Sequence, residues 1–146
     1  MQLVGKKKFG EVKVKSKKPI YKKAHEPVDH YEESVWLSND TPLFENKFTA
    51  VFKDKYPCTK GHVLFIPKKR TAECVGEAYK LAYYCGDEWI KEGKMDGFNV
   101  GMNIGECAGQ TIMWPHIHLI PRRNGDSKEI GGMRHAHPGA DHYKYY

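Results

Sequence analysis

The chain has 146 residues, 40% of them hydrophobic, and a formal net charge of +6, the scale of one domain built on a single modest core. Its mean hydropathy of −0.69 points to a soluble protein, and no apolar run approaches the roughly 18–20 residues needed to span a bilayer. The start, residues 1–10, carries too short an apolar stretch for a secretory signal. The four cysteines, Cys58, Cys74, Cys85 and Cys107, form no C-x-x-C pair, so neither a zinc knuckle nor a disulfide framework is expected. A reducing cytoplasm is the simplest compartment for them.

Charge is unevenly spread. Residues 1–24 hold nine lysines, Lys6 to Lys8 and Lys22–Lys23 among them, against the single acid Glu11. The rest of the chain is close to neutral. Residues 1–33 are therefore expected to be a basic N-terminal arm, residues 34–139 the folded domain and residues 140–146 a tail. Such an arm can make weak contact with nucleic acid or another polyanion. A solvated tail is the simpler reading, since no aromatics are interleaved with the lysines. Within it, Glu11–Lys15 alternates and could form a short edge strand.

From Val35 the pattern is expected to be strand-rich, with Ser34–Leu37 ending at the turn chemistry of Asn39-Asp40-Thr41-Pro42. Phe48–Phe52 is β-branched and aromatic and reads as a second strand. Gly61–Ile66 reads as a third, stopped by Pro67. Between Thr71 and Lys91 the period changes. Val75, Ala78, Leu81, Ala82, Cys85 and Trp89 recur at three and four, which gives a helix one apolar face. Thr71 is the expected N-cap and Gly93 the stop. Phe98–Asn103 alternates again, and Thr111–Ile120 reads as the last strand. About five strands with one long helix, adjacent in sequence and joined by short loops, predict an antiparallel α+β sheet.

The last strand concentrates the chemistry. Alternate side chains on a strand share a face, so Met113, Ile117 and Leu119 are expected in the core while Trp114, His116 and His118 point the other way. Two imidazoles about 7 Å apart on one strand face can address a single anion. Upstream, Gly105-Glu106-Cys107-Ala108-Gly109 can turn backbone N–H groups toward phosphate oxygens, with Gln110 and Thr111 adding donors. A histidine pair alone is a weak signal, and a metal site needs a third ligand that no motif spacing supplies. Phosphate chemistry accounts for more of the neighbourhood. Pro115 removes a ladder N–H, so the strand is expected to be bulged or unpaired there.

Gly109-Gln110-Thr111-Ile112-Met113-Trp114-Pro115-His116-Ile117-His118-Leu119-Ile120-Pro121-Arg122 resembles the signature of the histidine-triad (HIT) superfamily. That signature is a G-Q-[ST] step followed by three histidines alternating with apolar residues. The resemblance reaches back through Phe52–Pro57 and Gly61–Lys69, includes Asn103, and runs on to Gly131–Arg134. It implies that His116 is a nucleophile that takes the nucleotidyl group as a phosphoramidate, and that His118 contacts phosphate. It also implies that Gln110 and Thr111 orient the phosphates and leaving group, Asn103 serves the phosphate site, and Asp54 binds the ribose hydroxyls. His62 follows the family's G-H pattern and is expected to be structural.

The departure is Trp114, which stands where the family has its first histidine. An indole offers one N–H and no acceptor, so two readings are open. Either the Trp114 carbonyl still orients His116 and catalysis survives, or the site has become a non-catalytic nucleotide-binding module. A polyanion-binding protein acting through the arm is a third. The resemblance implies a hydrolase or nucleotidyl transferase acting at the α-phosphate of a purine nucleotide, in the dinucleoside polyphosphate or nucleoside phosphoramidate class. It further implies no cofactor or catalytic metal, no membrane, and a homodimer joined sheet edge to sheet edge. The tail histidines His135 and His137 are noted for adventitious metal affinity.

Overall fold

The computed structural model describes residues 26–127 and 131–140, so the basic segment, its possible edge strand and the tail from residue 141 lie outside the described residues. Among the described residues there are five strands: β1 (Phe44–Glu45), β2 (Thr49–Lys53), β3 (Val63–Pro67), β4 (Gly97–Gly101) and β5 (Ile117–Arg122). They form one antiparallel sheet in the order β1-β2-β3-β5-β4. Two α-helices accompany them, α1 (Val35–Asn39) and α2 (Ala72–Lys91).

The α+β architecture and the long helix follow the sequence pattern. Thr71 caps α2, its hydroxyl accepting the Cys74 N–H, and at Gly93 the chain turns at φ +77°. One face of the sheet packs on α2: Val51, Val63, Phe65, Ile117 and Leu119 meet Ala78, Ala82 and Cys85, all buried. The alternate residues of the same strands, Ala50, Phe52, Leu64 and Ile66, form a second buried cluster with Tyr31, Trp36 and Trp114. Period-two alternation thus feeds two cores, one on each side of the sheet. Val28 packs on the second of them, so apolar packing begins within the segment assigned to the arm.

Two local expectations are corrected. Ser34–Leu37 is not a strand. Ser34 caps α1, its hydroxyl accepting the Leu37 N–H, and capping chemistry overrides the β-branched Val35. The last strand begins at Ile117 rather than Thr111. The register explains this. Phe65 pairs with Ile117, so two steps further along Pro67 would oppose Pro115. Neither proline has an N–H to give, and the ladder stops. Residues 111–116 run irregularly, and Met113 is only half-buried.

Candidate active site

The irregular segment is held by side chains instead of a ladder. The Trp114 indole N–H donates to the Pro67 carbonyl at 2.9 Å, and the ring is 2% exposed. The Arg70 guanidinium lies 4.9 Å from the centre of that ring, a cation–π contact. Arg70 also donates to the Met113 and Val28 carbonyls at 3.1 and 2.9 Å. Trp114 is therefore a buried anchor, with its donor satisfied and its face covered.

Anchoring Trp114 fixes its carbonyl, and that carbonyl sits 2.7 Å from His116 Nδ1. A carbonyl can only accept, so in the neutral ring Nδ1 carries the hydrogen and Nε2 the lone pair. His116 is buried, its ring 5.0 Å from that of Trp36 and 5.2 Å from that of His118. Burial lowers its pKa, against the opposing effects of the Trp114 carbonyl and Asp54. The lone pair on Nε2 is thereby kept available at neutral pH.

His118 sits between Leu64 and Gly101 in the sheet register, and its Nδ1 faces a polar cluster. His62 Nε2 is 2.9 Å away and Asp54 Oδ2 is 3.7 Å away. His62 Nε2 also lies 3.2 Å from Asp54 Oδ2. The Cys58 backbone N–H donates to His62 Nδ1 at 3.2 Å, which assigns the His62 hydrogen to Nε2. That hydrogen points at His118 Nδ1 and Asp54, so the His118 hydrogen sits on Nε2, where it can donate to a ligand. Burial, then the neighbouring His116 and His62, push the His118 pKa down to about 4, with Asp54 pulling the other way. Burial lowers His62 as well. All three rings are neutral at pH 7.

Asp54 is half-buried, and its second oxygen accepts the Tyr56 N–H at 2.8 Å. His62, read from sequence as structural, is thus the hydrogen-bond partner of both His118 and Asp54. The cue lay in register: Asp54 follows β2 and His62 precedes β3, whose Lys53 and Val63 pair. The third ligand that sequence spacing did not supply is in place, as Asp54, His62 and His118 bring three ligand atoms within 4.8 Å of one another.

The glycine-rich loop differs from expectation. Residues 106–108 form a 3-10 turn, and the Ala108, Gly109 and Gln110 N–H groups all donate to carbonyls inside the loop. Gln110 spans it, accepting the Gly105 N–H through Oε1 at 2.8 Å and donating through Nε2 to the Ile112 carbonyl at 2.9 Å. In this structure Gln110 braces the loop that leads into Trp114. Asn103 is exposed and lies against Gly109, 3.9 Å from where a β-carbon would stand; Thr111 is exposed nearby in sequence. Met133 brings the C-terminal segment across Gly101, at a spot where a β-carbon would collide with it. A separate cavity of about 130 Å³ is lined by Val28, Ser34, Val35, Ile112, Met113 and Trp114 among others, and includes none of the histidines.

Comparison with known proteins identifies relatives of the chain. The HIT domain family profile matches residues 38–125. The chain is 36% identical over 93 residues to adenosine 5'-monophosphoramidase HNT1 of Saccharomyces cerevisiae, covering 62% of this chain and 59% of that protein. It is 31% identical to a zinc-bound histidine triad family protein from Mycobacterium smegmatis of known crystal structure, with a TM-score of 0.56 over 62% of this chain and 73% of that one. An AP-4-A phosphorylase of Mycobacterium tuberculosis is 29% identical over 114 residues, 71% of this chain and 58% of that protein. The chain thus spans somewhat less than two thirds of the two named enzymes. On fold, motif order and profile, it belongs to the HIT family.

Proposed function

We propose that this protein is a nucleotide hydrolase or nucleotidyl transferase that works through a covalent nucleotidyl-His116. One observation supports the reading above the others: the 2.7 Å approach of His116 Nδ1 to the Trp114 carbonyl, which leaves Nε2 as the nucleophilic nitrogen although the first triad histidine is absent. The role of orienting the nucleophile is met by backbone, so an indole in that seat is compatible with chemistry.

In the proposed first step the Nε2 lone pair attacks the α-phosphorus. A P–N bond forms as the bond from phosphorus to the leaving group breaks, and the leaving group departs with the bonding pair. In the second, water or another acceptor attacks phosphorus and the P–N bond breaks, returning neutral His116 and releasing the nucleotide. Dividing the cleavage in this way replaces one hard step by two easier ones. The His118 Nε2–H donates to a phosphate oxygen as charge develops there, in a site where burial strengthens the interaction. Asp54 takes the ribose hydroxyls, and Asn103 and Thr111 lie on the loop side of the phosphates. The names of the yeast and mycobacterial relatives direct the substrate class toward adenosine phosphoramidates and dinucleoside polyphosphates. No step draws on a cofactor.

We extend the reading to a homodimer in the cytoplasm. β4 closes one end of the sheet, which leaves an edge for a second copy; light scattering would report the doubled mass. No helix among the described residues is long and apolar enough to cross a membrane. The function is tested by steady-state turnover of adenosine 5'-phosphoramidate and diadenosine tetraphosphate by wild type and His116→Ala. Turnover by wild type and its loss in the variant are expected. Equal turnover by both would remove His116 from the mechanism, and AMP binding without turnover by either would leave a nucleotide-binding module.

A further inference from the structure

We infer that Arg70 is a positioning residue for the His116 nucleophile, holding in place the Trp114 carbonyl that orients the imidazole. Pro115 has no N–H, so the peptide plane that carries this carbonyl has no donor with which to anchor itself. The proline also confines Trp114 to extended backbone. The carbonyl therefore goes wherever Trp114 as a whole is held. One anchor is the indole N–H, 2.9 Å from the Pro67 carbonyl. A single hydrogen bond leaves the ring free to turn about its own N–H···O axis. Arg70 removes that freedom. Its guanidinium carbon lies over the ring, 4.9 Å from the centre, and Nη2 donates to the Met113 carbonyl at 3.1 Å, pinning the peptide that leads into Trp114.

The same nitrogen donates to the Val28 carbonyl at 2.9 Å, so both of its hydrogens are used and the guanidinium bridges two segments far apart in sequence. Arg70 is itself bracketed by fixed backbone. The Lys68 N–H donates to the Phe48 carbonyl at 2.8 Å, and the Thr71 hydroxyl caps α2. Three successive carbonyls of the irregular segment are thus taken by three different side chains: Ile112 by Gln110, Met113 by Arg70 and Trp114 by His116. Removing Arg70 opens the middle of that series and lets the Trp114 carbonyl drift. The hydrogen bond at one ring nitrogen decides the state of the other. Without a fixed acceptor at Nδ1, a neutral histidine ring favours its hydrogen on Nε2, the nitrogen that must carry the lone pair. The effect on turnover rests on the proposed function, whereas the effect on the imidazole does not.

The test labels the histidines of the full chain with nitrogen-15 and reads their tautomers by long-range proton–nitrogen correlation at pH 7, with His116 assigned by comparison with His116→Ala. Wild type is expected to hold the His116 hydrogen on Nδ1, and Arg70→Ala to shift it toward Nε2. With adenosine 5'-phosphoramidate as substrate, kcat of Arg70→Ala should fall about 10–100-fold. KM should change little, since Asp54 and the ribose side are untouched. Millimolar guanidinium, too dilute to denature, should return part of kcat to Arg70→Ala and add nothing to wild type. If Arg70→Ala proves unfolded in its melting profile, Arg70→Lys takes its place. An ammonium cannot lie flat on the indole and fork to two carbonyls, so the same changes are expected in smaller measure. An unchanged His116 tautomer in the folded variant overturns the inference, whatever happens to stability, and so does a kcat equal to that of wild type. Absence of turnover by wild type would remove the proposed function, and the tautomer would still decide whether Arg70 orients His116.

Discussion

The two faces of the sheet are built from the same strands and do different work. On the α2 side, Val51, Phe65, Ile117 and Leu119 pack against Ala78 and Ala82 with 0% exposure throughout. On the other side, a smaller apolar cluster of Trp36, Phe52 and Trp114 borders His116, His118, His62 and Asp54. The first face is a packing problem solved by period-two and helical periodicity. The second uses apolar groups to dry and orient polar ones, which keeps three histidines neutral. Substitutions on the first face should therefore change stability, and those on the second should change chemistry more than stability.

The largest effect sought is on the polar face. His116→Ala should lower turnover by at least about 1,000-fold and leave the melting profile near wild type. A matching loss of folded protein would break the division between faces. On the helix face, Phe65→Ala should cost about 3–5 kcal/mol of stability in a denaturant titration, while the folded fraction keeps its kcat. Trp114→Phe probes the boundary. It strands the Pro67 carbonyl in a buried setting, an expected cost of about 1–3 kcal/mol, and it frees the segment whose carbonyl orients His116, so kcat should fall as well. A stability loss with kcat unchanged would show that His116 is oriented by something else.

Acid should separate the faces without mutation. His116 and His118 hold their pKa values below the ordinary 6.5, so kcat should stay level as pH falls from 7 through that value and decline only beneath it. In the same window the unfolded chain takes up protons that the folded chain refuses. Stability should therefore fall as pH drops from 6.5 toward about 4 and be flat above it with respect to these groups. His116→Ala and His118→Ala should each reduce that slope, whereas Phe65→Ala should shift the curve without changing it. The smallest effect expected is Lys91→Ala, which removes the ion pairs to Asp87 and Glu88. These are surface contacts, and a change within about 0.5 kcal/mol is predicted.

Legibility in the sequence followed the same division. The α2 face could be read because its signal is periodic and local: Thr71 as cap, Val75 to Trp89 at helical spacing, alternation in β2 and β3. The short α1 is not legible because five residues hold too little periodicity to outweigh Val35 and Trp36, and only the Ser34 cap marks it. The last strand starts six residues later than its sequence pattern suggests because its start depends on Pro67 opposing Pro115, a pairing visible only once register is known. In the site, His116 and Asp54 came from motif order. The role of His62 is hidden in the sequence because it needs β2 and β3 paired. The bracing role of Gln110 depends on the fold of a glycine-rich loop, and glycine sets few constraints on its own conformation.

The central claim is that His116 carries the nucleotidyl group, and it is tested most directly by catching that group on the protein. Wild type mixed with excess adenosine 5'-phosphoramidate, quenched within milliseconds into base to protect the P–N bond and measured by intact mass, should gain one adenylyl group per chain, mapped to His116. The adduct should be absent in His116→Ala. Turnover by wild type with no adduct at any quench time, or an adduct that maps elsewhere, would contradict the account.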